Sequence, residues 1–142
     1  MKDLMNKIYK DNGLDKNDIF TDRRKFTIIT RSGIEKIQAN NEIAVTYDVI
    51  KAELDNCIVK ATSLIKDGDE LIPKIETFGS ATKDNCRQPF RMEIAEKRAL
   101  ARVIIKTMNY TNVLGEDEIS YQKTASKDWN NDLDAINKLT NG

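Results

Sequence analysis

Histidine is absent from this sequence. Its absence excludes histidine general acid–base chemistry, histidine-based triads and the commonest zinc sites. Cysteine is scarce. Cys57 and Cys86 stand far apart and form no CxxC pair, so no thiolate zinc site is expected, and both are read as reduced thiols of a cytoplasmic protein. There are six glycines, and none belongs to a G-x-x-x-x-G-K-S/T loop, so no cradle for nucleotide phosphates is present. No run of about 18 apolar residues occurs, so no membrane span is expected. The first residues, MKDLMNKIYKDNG, carry acids and lack an apolar centre, unlike a secretory signal. Net charge is missing too, because 23 basic residues are matched by 23 acidic ones. Any anion binding must then come from local placement of charge and not from a global field.

What is present suffices for one folded unit. A chain of 142 residues, 39% of them hydrophobic, fits a single domain with a tail and buries a core without staples. Leu4, Met5, Ile8 and Tyr9 mark a short first helix that Asn12-Gly13 ends. After the charged cluster Asp22–Lys25 comes the apolar run Phe26–Ile29, then a helix with Ile34 and Ile37 at helical spacing, stopped by Asn40-Asn41. Three strand-like segments follow: EIAVTYDVIK, CIVKATSLIK and LIPKIETFG. The turn Asp67-Gly68-Asp69 joins the second to the third, and Pro73 predicts a sheet edge or a bulge. Gln88-Pro89 marks the entrance to a long helix from Phe90 to about Met108. Trp129, Leu133, Ile136 and Leu139 then fall at helical spacing. The expected class is α+β, with a three-stranded antiparallel meander packed on one long helix and short terminal helices. Three regions are expected: an N-terminal helical segment (1–21), a core (22–118), and a linker with an amphipathic C-terminal helix (119–142).

The long helix concentrates arginine. At about 100° per residue, Arg91, Arg98, Arg102 and Lys106 fall within roughly 80° of arc, on a ridge on the order of 22 Å long. Met92, Ala99, Leu100, Val103, Ile104 and Met108 lie on the broad opposite side. Like charges at i,i+4 repel by a few tenths of a kcal/mol, unlike the favourable Glu93–Lys97 pair. Two readings are open: an ordinary solvated face, or a ridge held for an anion. Arginine in preference to lysine suits bidentate phosphate contact or stacking on a base. Glu116-Asp117-Glu118 is the tightest acidic cluster and is read as a solvated helix-end run, not a metal site.

One stretch of ordered motifs resembles a known family. ETFGSAT, a connection containing Asn85, then Pro89-Phe90 and AEKRALAR, is similar to the end of the annealing core in phage single-strand annealing proteins of the Rad52-like (Sak) and ERF group. Those proteins show a strand ending in E-T-x-G-x-A, an asparagine, an aromatic–proline pair and a helix with A-E-K-R-A-x-x-R. The matching positions are Glu76, Thr77, Gly79, Ala81, Asn85, Pro89, Phe90, Ala95, Glu96, Lys97, Arg98, Ala99 and Arg102. Thr30–Ile37 and the GEDE of Gly115–Glu118 also match, so the resemblance runs from Phe26 to Glu118. Ser80 stands where the family often has an acid, and Pro89-Phe90 reverses the usual order. The resemblance implies an α-β-β-β-α Rad52-like core, rings or helical filaments of one chain, and annealing of complementary single strands. It also implies no catalytic residue and no cofactor, so not an enzyme.

The residues expected to bind single-stranded DNA are Arg91, Arg98, Arg102 and Lys106 on the helix, Arg31, Lys60 and Lys74 on and before the sheet, and Arg87 in the connection. Lys97 joins them through the resemblance. Lys60 and Lys74 also fit as ordinary solvated strand residues. Tyr47, Phe78 and Phe90 are expected in the core, which leaves electrostatic, sequence-independent binding that weakens with salt. The Trp129 segment is expected to mediate self-association, to pack on its own domain, or to recruit a partner such as a single-strand binding protein. Two other functions compete with annealing: protection of single-stranded DNA without annealing, and a phage structural or assembly role that keeps the fold.

Overall fold

The computed structural model describes residues 2–118. The linker and the Trp129 segment lie outside the described residues. The elements run α1 (Lys2–Asp11), β1 (Ile19–Thr21), β2 (Thr27–Ile29), α2 (Arg31–Asn40), β3 (Ala44–Glu53), β4 (Asn56–Asp67), β5 (Glu70–Thr82), α3 (Arg91–Thr107) and β6 (Val113–Gly115). The molecule is α+β.

β3, β4 and β5 form the antiparallel meander, in that order. Burial along β4 alternates strictly, with Cys57, Val59, Ala61 and Ser63 facing inward. Thr77, Gly79 and Ala81 continue that face on β5, each directly opposite a buried β4 residue. Pro73 sits on an edge strand, opposite Leu64 and next to the register shift that leaves Lys74 as the extra residue. Both features expected of this proline are therefore present.

α3 lies on the inner face and is drawn very close to β5. A Cβ on Gly79 would stand 2.2 Å from the Ala95 carbonyl oxygen and 2.4 Å from the Ala99 nitrogen, so only glycine fits. Ala95 and Ala99 are fully buried and supply the flat surface for this approach. The Thr77 hydroxyl donates to the Ala99 carbonyl at 2.9 Å and pins helix to strand. The helix begins at Arg91, just after Pro89, as proline placement predicts.

A second, smaller sheet has the order β1-β2-β6, with β1 antiparallel and β6 parallel to β2. Its strands have three residues each, too short to leave a periodic signal in the sequence. Ile8 of α1, Ile29 of β2, Ile37 of α2 and Ile104 of α3 share one core with the large sheet. α2 starts at Thr30, whose hydroxyl accepts from the Gly33 N–H, and ends at Asn41. It is anchored by buried Asp18, which accepts from the Asp15 N–H (2.8 Å), the Ser32 hydroxyl (2.5 Å) and the Lys36 ammonium (2.6 Å). Burial alone would raise the Asp18 carboxyl, but these bonds outweigh it and hold it below the usual range.

Candidate nucleic-acid interface

The arginines of α3 do not form a free ridge. Arg98 is 3% exposed. Its guanidinium donates to the Ser80 carbonyl at 2.7 Å and to both oxygens of Asn85 at 3.0 Å. Arg102 donates to the Phe78 carbonyl at 2.7 Å and pairs with the Glu118 carboxylate. Arg91 donates to the Leu54 carbonyl at 3.1 Å and to Asp55 at 3.4 Å, in the β3–β4 turn. Of the expected ridge, Lys106 alone is exposed.

The reason lies in what flanks the arginine stripe. Ala95 and Ile105 lie within about 40° of the Arg91 direction and are both buried. The stripe meets the β3–β4 turn, β5 and Glu118, with Lys106 at its exposed end. Phe78 and Ser80 are alternate residues of β5, so their carbonyls point the same way, and no strand among the described residues pairs with that side of β5. Arg98 and Arg102, one helical turn apart, cap two successive carbonyls of an open sheet edge. That requirement accounts for the like charges at i,i+4.

The acidic run is not solvated either. Glu118 is 8% exposed and neutralises Arg102. Glu116 accepts from the Arg31 N–H at 2.9 Å, at the start of α2, and Asp117 stands 3.9 Å from the Arg31 guanidinium. Arg31, Lys97, Glu116 and Asp117 line a small cleft floored by Ile29, Ile34, Leu100 and Ala101. Burial pushes the Asp117 carboxyl up, Glu116 adds to this, and Arg31, Arg98 and Lys97 oppose it. Arg31, Lys97 and Arg102 are thus brought together, but around three carboxylates of the same chain.

The remaining candidates are dispersed. Lys60 sits on the outer face of the meander, 3.6 Å from Asp48 and 3.7 Å from Glu76. Lys74 is exposed at the irregularity of β5, and Arg87 is exposed in the β5–α3 connection. The aromatics depart from expectation in the other direction. Tyr47 is 39% exposed, Phe78 52% and Phe90 48%, so none is a core residue. Phe78 lies directly opposite Lys60, and Lys60 and Glu76 are within reach of each other on the same outer face. The outward placement of Phe78 follows from its alternation with Thr77 and Gly79, because a short threonine and a glycine occupy the buried positions.

Among the described residues no group of three His, Cys, Asp or Glu side chains is placed to hold a metal ion. No helix there is long and apolar enough to cross a membrane. No protein-family model, curated protein or solved structure matches the chain.

Proposed function

We propose that the protein binds single-stranded DNA without sequence preference and anneals complementary strands, on a Rad52-like α-β-β-β-α core formed by α2, β3, β4, β5 and α3. The observation that carries this reading is the outer face of the meander. There the exposed ring of Phe78 stands across from Lys60, and the strand that bears Phe78 has its carbonyl held by Arg102. A planar side chain beside cations is what a single strand needs, since bases stack on aromatic rings and phosphates seek ammonium and guanidinium groups. The ion pairs of Lys60 are partly exposed and weak, so phosphate can compete for that ammonium. The order of elements and the meeting of Thr77, Gly79, Asn85, Arg98 and Arg102 at one joint support the likeness to annealing proteins. These motif residues hold the joint together and need not touch DNA.

The neutralised arginines favour a second reading, an interaction protein that keeps this core without binding DNA. Fluorescence anisotropy with a labelled single strand at low salt separates the two. The first reading expects a salt-sensitive complex at micromolar protein, weakened about tenfold by Phe78→Ala through loss of one stacked base. Absence of binding by the unaltered protein would exclude the first.

A further inference from the structure

The two edges of the meander are unequal, and we infer that the β3 edge is an antiparallel, twofold contact between two copies of this chain. On β5 the carbonyls of Phe78 and Ser80 are taken by Arg102 and Arg98. On β3 no strand among the described residues pairs with the outer side of its ten residues. α3 covers β4 and β5 and leaves β3 bare beyond Val45: Val49 is 60% exposed, Ile50 54% and nearby Leu54 83%. A long edge strand with exposed β-branched residues is a template for another strand.

The charges on β3 specify the occupant. Asp48 lies opposite Lys60, and Lys51 opposite Ile58, with the register irregularity at Ile50 between them. Lys60 and Ile58 are two residues apart on β4 and share a face, so Asp48 and Lys51 share it too. A twofold axis between Val49 and Ile50 sets Asp48 of each copy against Lys51 of the other, with Val49 opposite Ile50. The strand is therefore complementary to itself in charge and in apolar surface, as a twofold contact requires. The existing pairs Asp48–Lys60 (3.6 Å) and Lys51–Glu53 (3.8 Å) are surface pairs that leave both groups available. A strand of another protein has no such reason to carry the matching order of charges. Capping of the Phe78 and Ser80 carbonyls makes the β5 edge the poorer template, which leaves the β3 edge as the one that pairs.

Sedimentation velocity on the full chain tests the contact, with circular dichroism confirming that each variant is folded. The unaltered protein is expected to sediment at twice the mass of one chain at about 100 micromolar. Lys51→Glu, which sets two like-charge pairs across the axis, should weaken the dimer about tenfold or more, and Asp48→Lys in the same chain should restore it. Val49→Lys, at an exposed position that folding does not need, should also give the monomer. A protein that stays monomeric at that concentration overturns the inference. So does a dimer indifferent to Lys51→Glu and Val49→Lys, and so does an assembly larger than two that these changes leave intact.

Discussion

Arg98 reads as a surface cation and is instead a buried fork. Its guanidinium gathers the Ser80 carbonyl and Asn85 and so joins β5, the connection and α3. Arg98→Ala should cost at least about 3 kcal/mol of stability, since it strips a charged donor from buried carbonyls. Arg98→Lys should recover only part of this, because an ammonium lacks the planar fork. Chemical denaturation of both variants checks it, and a loss of DNA binding in either would report on folding. Asp117 behaves in the opposite sense. Its carboxyl is raised above the ordinary 3.8, so its contribution to stability is full below that value and is lost as pH rises through the folded value. At neutral pH the charge therefore weakens the fold. Asp117→Asn should raise Tm at pH 7, with the difference closing below pH 3.8 in melting curves across that range.

At the level of elements, the meander was legible from its β-branched, strand-like segments and from the Asp67-Gly68-Asp69 turn. In that turn Gly68 has a φ of +67°. The start of α3 was legible from Pro89. The face it presents was not, because periodicity shows which residues share a stripe and not what the stripe meets. Alanines at 95 and 99 let strand and helix approach so closely that Arg98 beside them is enclosed. β1, β2 and β6 escaped notice because three residues cannot show alternation. The junction of α3 and β5 is the most demanding contact in the fold. Gly79→Ala forces a methyl group against helix backbone that cannot yield, so a loss of about 3 kcal/mol or more is expected. Thermal melts of this variant beside Gly68→Ala, which meets no atom within 4 Å, separate collision from backbone strain.

For the whole molecule, neutral charge proves a better guide than the arginine count. Four of the candidate cations are matched by acids: Arg91 by Asp55, Arg102 by Glu118, Lys60 by Asp48 and Glu76, and Arg31 by Asp117. What remains for a nucleic acid is the outer face around Phe78, with weakly paired Lys60, and the exposed Lys74 and Lys106. Of the candidate site, the cations were visible in the sequence, whereas the exposed aromatic was hidden by the assumption that a phenylalanine on a strand lies inside. Annealing is the property that separates this account from simple protection of DNA. The decisive measurement is the rate at which two complementary oligonucleotides pair at low salt with and without the protein. The account predicts faster pairing that is reduced in Phe78→Ala. Binding of both strands with no change in the pairing rate would contradict it.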